Sequence, residues 1–574
     1  MKRVRRLSWF ALAGFLVLAA NLVRMQVFQN EFYRLRSEKN RIRVIYLESA
    51  RGRILDRSGS ALADNRLSFN CSAIDREARP FVEKSSAILA PILGEDAGAL
   101  EKRFYGSRPG AFQTILIAED IGVEKAVAIE ERLDLLPGFM IETRPQREYP
   151  HGSAAAHLVG YAGPMTDREA DAVELYGYSY SDWVGQEGVE KSYESYLRGF
   201  SGGLQIEVDN RGRMVRALGV REPQAGKDVQ LTVDAKLQVF LGRLLESRKG
   251  SVIVMELAGG GILAMDSAPS FDPNSFASKR GRKEVRRYLY GEGSPMVNRG
   301  IRGQYPPGSI FKIVTALAAL ERGRITPQTR ISCAGEWVLG GNSFHCWNSA
   351  GHGPQALTEA FAHSCNIYFY NAGVSAGIDA IFQKSVELGF ARRTQIDLPE
   401  EKKGFVPSRE WKKKRFREPW YEGETANLAI GQGYLQITPL QALVMVAAVA
   451  ADGHVFKPHV IDKIDGIRVA PERSRTVVYP ARGWEAVRRG LEEVVSSPTG
   501  TGRLARVPGL EIAGKTGTAQ SGQDKPHAWF VGYAPAKNPK VALVVFLEHG
   551  GRGGVSAAGL ASSVFKWLSE SAYL

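Results

Sequence analysis

A chain of 574 residues with 44% hydrophobic and 24% charged side chains has material for roughly two to four globular domains. Its 75 basic residues exceed the 61 acidic ones by 14, a balance suited to nucleic acid, anionic lipid or an acidic substrate. No zinc finger and no basic arm interleaved with aromatics is present, which removes nucleic acid from that set of partners.

The N-terminus opens with Lys2, Arg3, Arg5 and Arg6, followed by an uncharged run from Leu7 to Val23. That run is near the lower length limit for a membrane-spanning helix, and the basic residues ahead of it predict a cytoplasmic N-terminus with everything downstream exported. A retained anchor is preferred over a cleaved signal peptide, the alternative raised by Ala19 and Ala20. No second long apolar run follows, so the expectation is a single-pass protein whose residues 1–40 form tip, anchor and a juxtamembrane helix.

Residues 41–226 read as a separate module, rich in Arg, Glu, Gly and Tyr and without long apolar runs. Its punctuated blocks RGRILDRSGSALADN, REYPHGSAAAHLVGYAG and GQEGVEKSYESYLRG alternate with helical stretches such as IGVEKAVAIEERLDLL. His151 and His157 have no acidic partner or metal spacing and read as structural; Cys71 reads as a buried thiol. A Pro/Gly turn at 223–226 then marks a boundary, and 227–574 reads as one large α/β (α+β) domain. SVIVMEL and GILAMDSA, joined by Gly259, Gly260 and Gly261, predict a hairpin. AWFVGYA and VALVVFLEHG predict a second strand pair, and GGVSAAGLASSVFKWLSESAYL a terminal helix.

The chemistry sits in three short motifs. In YPPGSIFKIVTALAAL, Ser309 and Lys312 are three residues apart at the start of a strong helix former, so they share a helix face. Pro306, Pro307 and Gly308 place Ser309 near a helix N-terminus, where the dipole favours developing negative charge. A serine that attacks a carbonyl needs a nearby base and such a place for charge. Ser364-Cys365-Asn366 and Lys515-Thr516-Gly517-Thr518 follow at large separations. In the order S-x-x-K, S-x-N, K-T-G, the set resembles that of penicillin-binding proteins and serine β-lactamases.

The surrounding text NRGIRGQYPPGSIFK, NLAIGQGYLQITPLQ and HAWFVGYAP narrows the resemblance to class B penicillin-binding proteins, and among them to the elongation-type members. The 41–226 blocks resemble that family's pedestal region, and no glycosyltransferase block is present. The resemblance implies a transpeptidase domain with a central antiparallel sheet flanked by helices. It also implies peptidoglycan D,D-transpeptidation through a serine acyl-enzyme, without a catalytic cofactor. Ser309 is then the nucleophile, Lys312 its base, and Ser364 a proton relay that also touches Lys515. Asn366 holds a substrate carbonyl or the lysine. Thr516 and Thr518 bind the terminal carboxylate, Gly517 leaves room for substrate along its strand, and the backbone N–H groups of Ser309 and Thr518 form the oxyanion hole. Implied partners are peptidoglycan stem peptides, β-lactams, the membrane, a SEDS-family glycan polymerase and other elongation-complex proteins. A division-specific transpeptidase and a D,D-carboxypeptidase are the alternatives.

Three of the four cysteines, Cys333, Cys346 and Cys365, fall in one interval with His352 between them. Three thiols and an imidazole satisfy the count of a structural zinc site. Elongation-type relatives include members with a metal site in this region. The rival is a Cys333–Cys346 disulfide, natural in an exported protein, with Cys365 a buried thiol. His345 is an alternative ligand to His352. Zinc is the preferred reading, with Cys365 pointing away from the cleft that Ser364 and Asn366 face. The basic run Lys412, Lys413, Lys414, Arg415 and Arg417, followed by Trp420 and Tyr421, has two readings, a face toward anionic lipid or peptidoglycan and a solvated loop, of which the loop is preferred.

Overall fold

The computed structural model describes residues 2–34, 42–107, 114–165, 183–208, 214–277, 281–472, 475–522 and 525–574. The N-terminal helix Lys2–Val23 continues into a π-helical turn at Arg24–Phe28, and the stretch Ser8–Phe28 is exposed, apolar and long enough to cross a membrane. The juxtamembrane helix expected beyond it runs into residues 35–41, which lie outside the described residues.

Backbone contacts divide the chain into two units. The smaller comprises residues 1–51, 67–145 and 198–226. Its apolar core gathers Val82 and Leu89 of helix Val82–Leu93, Leu100 and Phe104 of helix Ala97–Gly106, and Ile115 and Ile117 of strand Thr114–Ala118. Cys71 is fully buried there, as its sequence context suggests. A three-stranded antiparallel sheet of Ile42–Leu47, Gly202–Val208 and Met214–Arg221 completes this unit.

The larger unit takes residues 52–66 and 146–197 as well as 227–574. The 41–226 segment, expected as one module, is therefore shared. All three of its punctuated blocks fold largely with the C-terminal part, the second and third side by side. The Arg147–Glu190 ion pair (2.7 Å), almost wholly buried, ties those two together inside that unit. His157 is buried with Nε2 on the Pro295 carbonyl at 2.7 Å, a structural histidine whose pKa burial pushes down to about 4.

The frame of the larger unit is a five-stranded antiparallel sheet. Its strands are β1 (Gly250–Glu256), β2 (Ile262–Ala268), β3 (Ala513–Ala519), β4 (His527–Ala534) and β5 (Val541–Leu547), in spatial order β2-β1-β5-β4-β3. The expected Gly259–Gly261 hairpin joins β1 to β2, with Gly250 opposite Ala268. Every residue of β4 and β5 is buried, which is why both read as unbroken apolar runs: helices cover both faces. Those helices include α1 (Ala235–Leu245), α2 (Lys312–Glu321), α3 (Leu357–Ala362), α4 (Asn366–Ala376), α5 (Pro439–Ala450), α6 (Ala481–Ser496) and α7 (Ser556–Glu570). All twelve residues of α5 are buried, so its apolar length belongs to the core, not to a membrane. Strand β3 ends the sheet and carries the K-T-G motif.

Between α2 and α3 the chain builds a small lobe from two ribbons, Ile331–Cys333 with Gly353–Gln355 and Glu336–Leu339 with Asn342–His345. Its strands are mostly exposed or half-buried. The lobe precedes Ser364 in the chain, and that placement matters for the site.

Candidate active site

Ser309 lies in the 3-10 turn Gly308–Phe311 that leads into α2, just ahead of the α-helix proper. It is half-buried, whereas Lys312, the first residue of α2, is completely buried. The i, i+3 geometry read from the sequence holds, but the turn is tighter than an α-helix. Gly308 has φ of 57°, and a Cβ on it would meet the Thr518 carbonyl at 2.7 Å. The nucleophile turn is thus seated directly on β3.

The same closeness gives Gly517 a structural role of its own. A Cβ on Gly517 would lie 2.8 Å from the Pro307 carbonyl oxygen and 3.1 Å from Ile310 Cγ2. The glycine makes room for the turn that carries Ser309.

Ser364 sits between α3 and α4 with φ of 52°, an unfavourable backbone conformation for a residue with a side chain. That twist turns both its oxygens to the lysines. Lys312 Nζ donates to the Ser364 carbonyl at 2.7 Å and to Ser364 Oγ at 3.3 Å; Lys515 Nζ donates to the same Oγ at 2.9 Å. Lys312 also donates to Asn366 Oδ1 at 2.8 Å, and Asn366 Nδ2 donates to the His345 carbonyl at 3.2 Å. Of the two roles expected for Asn366, it performs the second here: it holds the lysine.

Neither lysine has a carboxylate partner among the described residues. Burial is therefore the largest influence on their protonation. It brings the Lys312 amine down to about 8, against a smaller upward pull from the sulfurs of Cys365 and Cys346. Lys515 is driven well below the ordinary lysine range by burial and then by the neighbouring Lys312 charge. Burial thus brings the Lys312 amine close to the range in which it can serve as a base beside a serine, and more of it is neutral as pH rises through about 8.

Thr516 and Thr518 project from β3 on the face opposite Lys515 and Gly517. Thr516 Oγ1 donates to Thr501 Oγ1 at 3.1 Å, while the exposed Thr518 accepts from the Gly553 N–H at 3.1 Å. Thr501 was not singled out in the sequence. Its Gly500-Thr501-Gly502 setting is a turn signal, and the Thr501 N–H donates to the Ala362 carbonyl at 3.0 Å, tying β3 back to α3.

Behind Ser364 the sequence-predicted ligands converge. Cys333, Cys346, His352 and Cys365 offer donor atoms that all lie within 4.8 Å of one another. His352 Nδ1 is 3.5 Å from both Cys333 Sγ and Cys346 Sγ. Cys365 and Cys346 act on one another so that the Cys346 thiol is held below the ordinary thiol range and Cys365 above it. His345 stands apart on its exposed strand and contributes only its carbonyl. A disulfide needs two of these sulfurs close; a tetrahedral metal site needs all four donors, and all four are together. Three thiols and one imidazole, largely buried, suit a zinc ion by number and by ligand type.

A further histidine, also unforeseen, links this cluster to β3. His363 Nδ1 is 2.7 Å from Gln355 Oε1, and Gln355 Nε2 donates to the His352 carbonyl at 2.9 Å. On its other side His363 Nε2 is 3.0 Å from Thr499 Oγ1, two residues before Thr501. Its ring stacks parallel to His352 at 5.6 Å.

Residues 250–566 match the family model of the penicillin-binding protein transpeptidase domain, and residues 46–231 that of the penicillin-binding protein dimerisation domain. The chain is 34% identical to the peptidoglycan D,D-transpeptidase MrdA of Haemophilus influenzae, over 96% of this chain and 89% of that one. Among solved structures it resembles penicillin-binding protein 2 (PBP2) of Helicobacter pylori in complex with MreC, with a TM-score of 0.84, 28% identity, and coverage of 93% of this chain and 99% of that one. It also resembles a chain from a peptidoglycan synthase complex that coordinates polymerization and crosslinking, with a TM-score of 0.75, 32% identity, and coverage of 98% and 97%. The chain belongs to the class B penicillin-binding proteins.

Proposed function

We propose that this class B penicillin-binding protein is a peptidoglycan D,D-transpeptidase of cell elongation, with Ser309 as its nucleophile. The observation that carries the assignment is Ser364 Oγ, held at 3.3 and 2.9 Å between two buried lysines without counter-ions, beside the turn that presents Ser309.

Neutral Lys312 takes the Ser309 hydroxyl proton as Oγ attacks the carbonyl of the penultimate D-alanine. The oxyanion is met by the backbone N–H groups of Ser309 and Thr518. Collapse breaks the peptide bond, and the proton returns through Lys312 and Ser364 to the leaving D-alanine amine. Lys515 steadies Ser364 Oγ throughout, and the exposed Thr518 hydroxyl, with Thr516 behind it, receives the terminal carboxylate. The amine of a neighbouring stem peptide then attacks the ester, loses its proton to the same base and releases Ser309. A β-lactam enters the same first step and stalls as the acyl-enzyme.

The chemistry of the donor set supports a structural zinc held by Cys333, Cys346, His352 and Cys365. Such an ion contributes folding stability, and no step of acyl transfer passes through it. The basic N-terminus and the apolar helix support a single-pass anchor with its N-terminus in the cytoplasm and the catalytic unit outside. Relatives solved with MreC and within a peptidoglycan synthase complex support a SEDS-family glycan polymerase and elongation proteins as partners.

The test is labelling of the full-length protein with a fluorescent penicillin and mapping of the adduct. Label is expected on Ser309 and lost in Ser309→Ala; label that persists in that variant overturns the assignment. Slow decay of the label separates a transpeptidase from a hydrolase.

A further inference from the structure

The basic run that reads as a solvated loop is instead a helix, Arg409–Phe416, and its cations do two different things. Lys412 is buried. Its Nζ lies 2.5 Å from Glu424 and 3.6 Å from Glu418, and 4.3 Å over the Tyr421 ring. It therefore consumes the two nearest carboxylates as a structural pin. Lys413, Lys414, Arg415 and Arg417 are exposed, and none has a carboxylate partner among the described residues. Four cations within five residues, without carboxylate partners among the described residues, form a concentrated anion-attracting surface that the partial negative charge of the helix C-terminus offsets only in part.

Beside them lies an open aromatic surface. Trp411 packs against Tyr434 at 4.9 Å and Phe416 at 5.5 Å between ring centroids, and Phe416 against Tyr434 at 5.5 Å. Phe416 and Tyr434 remain 43% and 45% exposed, so these rings are fixed yet face solvent. A ring packed in place and left open is a ready platform for another flat face.

The segment that carries Tyr434 is hydrogen-bonded on both sides of it to the chain around the nucleophile turn. Tyr434 follows Gly431 by three residues, and the Gly431 carbonyl accepts the Gly308 N–H at 2.9 Å. The segment then pairs with Tyr305 through Ile437, on the other side of the same turn. Aromatic faces next to unpaired cations suit a carbohydrate polymer that carries carboxylates: sugar faces rest on the rings, and acidic groups meet the cations.

We propose that the Arg409–Phe416 helix and Tyr434 form a docking ridge for the uncross-linked peptidoglycan strand, which they hold through its sugar rings and stem-peptide carboxylates while Ser309 acts on the peptide end. This rests on the transpeptidase reading and extends it to the polymeric part of the substrate.

The test uses the full-length protein, co-sedimented with purified sacculi, with fluorescent penicillin acylation measured in parallel. A Lys413→Glu, Lys414→Glu, Arg415→Glu triple variant and a Phe416→Ala, Tyr434→Ala double variant are each expected to bind sacculi at least about tenfold more weakly. Penicillin acylation should stay within about twofold, since that small substrate reaches only the lysine–serine cluster. A single Phe416→Ala, at an exposed position, replaces the double variant if the latter fails to acylate. Unchanged sacculus binding in acylation-competent variants overturns the ridge. So does a loss confined to vesicles of phosphatidylglycerol, which makes the patch a lipid contact. A wild-type protein that takes no penicillin label at Ser309 overturns the transpeptidase reading instead.

Discussion

The two walls that meet at Ser364 Oγ are built on opposite principles. Lys515 comes from a strand of the central sheet, with its neighbours β4 and β5 buried along their whole length. Ser364 comes from a turn in the left-handed region, behind a lobe of short, mostly exposed ribbons. The strand needs only its hydrogen-bond ladder and an apolar core. The turn carries backbone strain between two helices with buried apolar faces, and four ligand-bearing side chains, one of them Cys365 next in the chain, gather behind it. One side of the site thus rests on a sheet and the other on a turn backed by a cluster of four candidate metal ligands.

The largest effect is expected where the walls converge. Lys312→Met should slow penicillin acylation about 10²- to 10⁴-fold, the usual contribution of a general base. The same change should stabilise the fold at pH 7 by on the order of 3 kcal/mol, because a buried amine brought down to about 8 is held there at a cost. The sign follows from proton binding. Between about pH 8 and the ordinary lysine value the unfolded chain keeps a proton that the folded chain lacks, so wild-type stability gains with pH across that window and not below it. Urea midpoints of both proteins against pH check this. Acylation by the wild type should rise with pH to an inflection near 8.

Cys365→Ser breaks the wall built on the turn. It should lower acylation about 10- to 100-fold and reduce zinc content together, as loss of support around a metal site does. Equal acylation with zinc lost would show that the turn stands by itself. Gly517→Ala probes the other wall. Its new methyl meets a backbone carbonyl that cannot rotate away, so a cost of about 1–3 kcal/mol and roughly tenfold slower acylation are expected, with zinc content unchanged. His363→Ala, which removes the hydrogen bonds toward Thr499 and Gln355, should cost about 1 kcal/mol by thermal melt and a few-fold in acylation.

Much of this was legible beforehand because it is local. The spacing of Ser309 and Lys312, the glycine-joined hairpin, the apolar strands and the four ligand candidates each lie within a short stretch and follow from helix period, turn chemistry or ligand type. What escaped depends on contacts across hundreds of residues. No local pattern shows that Gly517 faces Pro307, that Asn366 spends its amide on Lys312, or that Thr499 and Thr501 lie between His363 and Thr516. The same holds for residues 146–197, whose composition matches their sequence neighbours but whose buried Arg147–Glu190 pair lies in the larger unit. The run at 412–417 misled for a different reason: one of its lysines is a core residue, and charge alone does not reveal which.

The position of β3 at the end of its sheet has a consequence beyond catalysis. A terminal strand has a row of main-chain N–H and C=O groups that no sixth strand satisfies. A peptide brought to Ser309 can complete that row as a guest strand, recognised by backbone spacing and not by side-chain identity. The same openness exposes the protein to adventitious pairing by any extended chain, and brevity is its defence: β3 is seven residues long, and of these only Thr518 is exposed.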